Sequence, residues 1–212
     1  MNSTIILRHA DREQIEDANK MHLAQVTFNG KIKSLWQGIF LKRSFSDIRE
    51  IHTSSSERCI ETANIIAHIL SPFNKPKIVI SKDVYEFFST GYVQPGKFDE
   101  WCKYMLEYQQ HKVDTYKMIF ERMKERGLLR YSLKEYKAEM IEKYLRSYNL
   151  LAITHDTTIG PLIEALAEDY GFKVHGNMIN PSPLSGFYIV HDNGRISTIK
   201  WLEYGKDPIV LW

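Results

Sequence analysis

Apolar and polar positions alternate between two periods along this chain. Short apolar runs at 4–7 (TIIL), 77–81 (KIVIS) and 150–154 (LLAIT) read as buried strands, and DIREIHT at 47–53 reads as a further strand. Helical spacing fills the gaps. The stretch 28–41 carries Ile32, Leu35, Trp36 and Ile39 at helical intervals. SSSERCIETANIIAHIL, 54–70, aligns Ile60, Ala63, Ala67 and Leu70 on one stripe. Ser54 with Glu57 three residues later predicts a capping box at the start of that helix. After 154, Ile159, Leu162, Ile163 and Leu166 share one helical face. Near the end, GFYIV and ISTIKWLEY flank His191-Asp192-Asn193-Gly194, and Asn-Gly between alternating segments predicts a hairpin.

From 99 to 147 the texture is helical. Trp101, Tyr104, Met105 and Tyr108 repeat at i, i+3, i+4, i+7, as do Tyr116, Ile119, Phe120 and Met123. Gly127 reads as a stop, and Ser132 with Glu135 as a second capping box before Leu133, Tyr136, Met140 and Tyr144. This predicts a helical cap inserted at 86–147 within a single domain covering 1–212. Strands alternating with helices predict an α/β architecture with a mostly parallel sheet and helices on both of its faces.

Composition narrows the chemistry. The 212 residues suffice for one sizeable core. Lys and Arg number 28 against 26 Asp and Glu, so the net charge is only +2, and no basic run points to nucleic acid. No apolar run approaches the ~18 residues of a membrane span. Cys59 and Cys102 form neither a metal-like pair nor a disulfide framework. MNSTIILRHADRE does not read as a signal peptide, so a soluble, reduced, cytoplasmic protein is the expectation. The pattern carries no reading of oligomeric state.

Three polar clusters stand at the predicted carboxyl ends of strands: Arg8-His9-Ala10-Asp11-Arg12, Thr53-Ser54-Ser55-Ser56-Glu57-Arg58 and Thr154-His155-Asp156-Thr157-Thr158. In layered α/β sheets ligands bind at that edge. Neighbouring strands would therefore gather three arginines, two histidines and one or two carboxylates. Guanidinium forks match phosphate oxygens, and a helix start near Ser55 adds its positive end. The serines read as capping residues rather than nucleophiles, and Asp156 also sits where a helix N-cap is expected. The remaining histidines show no metal-ligand spacing.

LRHADR, TSSSERCIETA and ITHDTTIGPL resemble, in order and spacing, the three signature stretches of the histidine phosphatase superfamily. The His-Asp-Thr-Thr string resembles its acid-phosphatase branch. The resemblance implies a phosphoglycerate mutase-like, three-layer fold and two-step phosphoryl transfer through a phosphohistidine. His9 would be the nucleophile. Arg8, Arg12, Arg58 and His155 would surround the phosphoryl group. Asp156 would protonate the leaving oxygen and then assist water, with Glu86 as the alternative proton donor. The substrate would be a small phosphomonoester, and neither metal nor cofactor would be needed, because guanidinium groups carry the positive charge.

Ala10 stands where the family has glycine, which would strain the backbone if φ were positive. A phosphomutase and a non-catalytic phospho-ligand binder are the alternatives on the same residues. A metal-dependent phosphohydrolase using His9, Asp11, His155 and Asp156 fits less well, since clustered arginines repel a cation.

Overall fold

The structure, a computed structural model, describes residues 2–15, 18–45, 47–80, 93–97, 99–101, 103–104, 116–130, 135 and 149–212. Seven strands form one sheet: β1 (Asn2–Arg8), β2 (Glu50–Thr53), β3 (Lys77–Ile80), β4 (Leu150–Thr154), β5 (Gly186–Asp192), β6 (Arg195–Leu202) and β7 (Ile209–Val210). Their order is β3-β2-β4-β1-β5-β6-β7. The pairs β3·β2, β2·β4 and β4·β1 are parallel, and β1·β5, β5·β6 and β6·β7 antiparallel. The sheet is thus mixed rather than mostly parallel: β3-β2-β4-β1 form its parallel half, and β5, β6 and β7 extend it by antiparallel hairpin pairing. Its hairpin turns at Asn193-Gly194, both at positive φ, where the Asn-Gly pair predicted it.

Helices α1 (Phe28–Ser44) and α2 (Glu57–Leu70) pack on one face of the sheet, α3 (Tyr116–Glu125) and α4 (Asp156–Tyr170) on the other, and a short α5 (Gly176–Ile179) follows α4. The period-2 pattern of β1 makes this possible. Ile5 and Leu7 point toward Leu41, Ala63 and Ile66, whereas Ile6 points toward Ile159, Leu162 and Leu166. β4 is buried along its whole length, as a central parallel strand requires.

The buried stripe expected on α4 is fully enclosed. On α2 the enclosed residues are Cys59, Ala63, Ile66 and Ala67, with Ile60 and Leu70 half-buried. The stripe that marks α1 in the sequence does not face the core: Ile32, Leu35 and Trp36 are exposed, Trp36 at 60%. α1 instead buries Gly30, Ser34, Gln37, Gly38 and Leu41. Small residues let its backbone approach α2 closely; a Cβ on Gly38 would stand 2.9 Å from Ile69 Cβ.

Trp101, Tyr104, Met123, Leu128 and Leu129 join the core cluster beneath α4. Most of the expected 86–147 insert, including Glu86, Met105, Tyr108 and the Ser132 capping box, lies outside the described residues.

Candidate active site

Strand register assembles the site. Arg8 pairs with Thr154 at the ends of β1 and β4, so His9 and His155 emerge side by side, and the backbone N–H of His9 donates to Thr154 O at 2.9 Å. Thr53 pairs with Ile153, which sets Ser54 beside the same edge. The three polar clusters therefore meet where β1, β4 and β2 end, as their strand-end positions predicted.

His9 is 2% exposed. Its Nδ1 donates to the carbonyl of Ala10 at 2.7 Å, which leaves the lone pair on Nε2. That nitrogen accepts from Arg58 Nε at 3.1 Å. Arg58 Nη2 donates in turn to His155 Nδ1 at 3.2 Å. The two imidazoles lie edge to face, with centroids 5.3 Å apart. Burial, then His155, then Arg58 and Arg8 hold the His9 pKa well below the ordinary imidazole range, with the Ala10 carbonyl opposing weakly. Burial, followed by Arg58, Arg8 and Arg12, does the same to His155. Both rings are neutral at neutral pH, so His9 Nε2 is a buried, tautomer-fixed base facing cations.

Arg8 Nη1 donates to Pro181 O at 2.6 Å, and its Nη2 lies 3.2 Å from Asp156 Oδ2. Its buried Nε has no hydrogen-bond partner. Arg12 Nη1 donates to Glu13 O, and its pKa is lowered by burial, then by Arg58 and Arg8, with Asp156 opposing. Arg12 is thus electrostatically coupled to the same cluster. A guanidinium stays protonated through such shifts. Asp156 is the first residue of α4 rather than its cap. His155 occupies the N-cap position, and Asp156 Oδ1 accepts from the N–H of Thr157 at 3.0 Å.

The capping box expected from Ser54 and Glu57 does not form. Ser56 is the N-cap of α2 and makes no side-chain cap bond. Ser54 turns to His155 Nε2 at 3.0 Å instead, because the buried imidazole offers it a partner and the α2 start does not.

Several contacts had no signal in the sequence reading. Thr62 Oγ1 accepts from the N–H of Ala10 and donates to Arg58 O, clamping the His9 turn to α2. Leu184, buried at φ 61, donates its N–H to Arg8 O, so the 181–185 turn braces β1 from the other side. Ala10 is not in the left-handed region. Its Cβ is enclosed with Val26 and Leu184, so it imposes no strain there. Cys59 is buried 3.7 Å from His155 Nε2, and burial pushes its thiol pKa up, the Arg58 charge opposing. It is a neutral packing group.

No family model and no curated protein sequence matches the chain. Solved structures do. A phosphoglycerate mutase from Bacillus anthracis str. Sterne superposes with a TM-score of 0.58 at 18% identity, covering 92% of this chain and 90% of that one. The chain has the phosphoglycerate mutase-like fold. Two further proteins with this fold are an ecdysone phosphate phosphatase from Bombix mori in complex with tungstate and a phosphoserine phosphatase from Entamoeba histolytica in complex with 3-phosphoglyceric acid. The first superposes at TM-score 0.51 and 13% identity over 93% of this chain and 92% of its own. The second gives 0.51 and 12% over 98% of each. In this fold the carboxyl edge of β1, β4 and β2 brings the buried His9 and Arg58 together with the half-buried Arg8, Arg12 and His155.

Proposed function

We propose that the protein is a metal-independent phosphomonoester hydrolase working through a phosphohistidine on His9. The observation that carries this reading is the tautomer-fixed, neutral His9, whose bare Nε2 faces the Arg58 guanidinium with Arg8 beside it. A neutral imidazole attacks without a base, so the protein's contribution is positioning and charge. Nε2 attacks phosphorus as the bond to the ester oxygen breaks. Arg8, Arg12, Arg58 and His155 receive the phosphoryl oxygens, and Asp156 gives its proton to the leaving oxygen. Water, deprotonated by Asp156, then attacks the phosphoenzyme, releasing phosphate and restoring His9.

Arg8 orients Asp156 at the mouth of the site, where its side chain is 30% exposed and open to water. That exposure favours water over a bound alcohol as acceptor. Transfer to an alcohol, as in a mutase, is the second reading, since mutases and phosphatases share the fold. Tungstate, held by a protein of the same fold, suits such a cluster of guanidinium donors and supports an oxyanion ligand. The non-catalytic binder loses its main motive, because Ala10 is accommodated without strain. Glu86 stays the alternative acid.

The test is hydrolysis of an aryl phosphate with chelator present, for the natural chain and for His9→Ala. Turnover that survives chelator and is lost in the folded variant supports the reading. Full activity in His9→Ala overturns it.

A further inference from the structure

The Ser54 hydroxyl takes no part in the phosphoryl-transfer steps, yet one of its three hydrogen bonds reaches a histidine of the site. It is 1% exposed. Its oxygen lies 3.0 Å from His155 Nε2, 2.9 Å from Ser56 Oγ and 3.1 Å from the N–H of Ser56. Across the ring, Arg58 Nη2 reaches His155 Nδ1. A guanidinium only donates, so Nδ1 of the neutral ring carries a lone pair and its one proton sits on Nε2. Ser54 then accepts from His155 Nε2–H and from Ser56 N–H, and gives its own proton to Ser56 Oγ. One donor and two acceptor positions are all filled.

A bound phosphoryl group reverses the demand on the other nitrogen. Its oxygens only accept, so Arg58 turns its donors to them and Nδ1 of His155 faces an acceptor. We propose that Ser54 is a positioning residue: once Arg58 has turned to the phosphoryl oxygens, Ser54 still accepts from His155 Nε2–H, so Nδ1 takes up one further proton as a phosphoryl group binds and donates it to a phosphoryl oxygen. That proton comes from the monoanion of the phosphoryl group or, at higher pH, from water, and it leaves with the product. The second ionisation of phosphate esters lies near pH 6, so the monoanion that can supply the proton is present around neutral pH.

The groups facing His155 suit this role. Arg8 ends β1 and His9 follows it, Arg58 and Cys59 come from α2, and Arg12 adds charge from the turn after His9. These cations keep the ring neutral while the site is empty. A dianion offsets them when it is full.

The inference rests on the reading of this pocket as a phosphoryl site, but its test needs no turnover. Inorganic phosphate is titrated into the 15N-labelled natural chain, Ser54→Ala and Ser54→Thr, with the imidazole nitrogens followed by NMR. In the natural chain, Nε2 carries the proton in the empty protein and both nitrogens carry one when phosphate is bound. In Ser54→Ala the empty protein keeps its proton on Nε2 through Arg58, but with phosphate bound Nε2–H has lost its Ser54 acceptor, the ring carries a single proton on Nδ1, and phosphate affinity falls roughly tenfold, the lower end of the loss when the partner of a metal-ligating histidine is removed. Ser54→Thr restores both. Phosphate bound with a bare Nδ1 overturns the proposal while leaving the phosphoryl site intact. So does a folded Ser54→Ala whose phosphate-bound His155 is still doubly protonated and whose affinity is unchanged. Absence of any phosphate binding removes the phosphoryl site itself, and the proposal with it. If Ser54→Ala does not fold, the natural chain and Ser54→Thr still decide between these outcomes.

Discussion

Arg58 Nε donates to His9 Nε2 at 3.1 Å while Arg58 Nη2 donates to His155 Nδ1 at 3.2 Å, so one guanidinium ties both imidazoles of the candidate site together. In the empty site the lone pair proposed to attack phosphorus is engaged by the group proposed to hold the phosphoryl oxygens. Oxyanion binding would draw the guanidinium away and free the nucleophile. Arg58→Ala is expected to lower aryl phosphate turnover by about 10²–10³-fold, the usual loss for one preorganised donor. Arg58→Lys is expected to recover little, because a point charge cannot present two donors in a fixed fork. Steady-state kinetics check this; a folded Arg58→Lys close to natural activity would contradict it.

The ion pair between Arg8 and Asp156, at 3.2 Å, bears on the proton donor. If Asp156 is the acid, Asp156→Asn loses about 10²–10⁴-fold on alkyl phosphates, whose leaving oxygen needs a proton, and much less on an activated aryl phosphate. A loss independent of the leaving group would point away from Asp156 and toward Glu86.

Acid stability follows from the two buried imidazoles. Both native pKa values are lowered, while in the unfolded chain histidine titrates near about 6.5. Below that pH the unfolded state binds more protons, so stability is fully present above about 6.5 and declines as pH falls. Each histidine contributes a slope of up to about 1.4 kcal/mol per pH unit. Thermal melts between pH 7.5 and 5 are expected to show a falling Tm, with a shallower fall in His155→Gln. A flat profile in the natural chain would contradict the buried neutral pair.

The inverted burial of α1 yields a paired test. Gly38→Val forces a side chain against Ile69, whose Cβ and Cγ2 would stand 2.9 and 3.1 Å from the new Cβ, and is expected to cost about 1–3 kcal/mol. Trp36→Gln, at an exposed position, is expected to change stability by no more than about 0.5 kcal/mol. Denaturant unfolding of both variants checks this, and the opposite ranking would restore the stripe read from the sequence.

The comparison of α1 with α4 shows what was legible. On α4, Ile159, Leu162, Ile163 and Leu166 face the sheet as their spacing indicates, because a helix covering a parallel sheet buries its largest apolar residues. On α1 the same spacing misleads. Close approach to α2 selects small residues, and tertiary packing overrides the apolar pattern. At the site, Arg8, His9, Arg58 and His155 were legible because strand ends and charge mark them. Ser54 was read as a cap because its neighbour Glu57 satisfied a local rule, whereas its partner, His155, lies 101 residues away. The Pro181 carbonyl and the Thr62 clamp are backbone-directed contacts that no side-chain pattern announces.

The most direct measurement is to quench the natural chain during turnover of a phosphomonoester and map the bound phosphate by mass spectrometry after alkaline digestion. One acid-labile, alkali-stable phosphoryl group is expected on the peptide containing His9, absent from His9→Ala. Phosphate found instead on Ser54 or Ser56, or turnover retained by a folded His9→Ala, would contradict it.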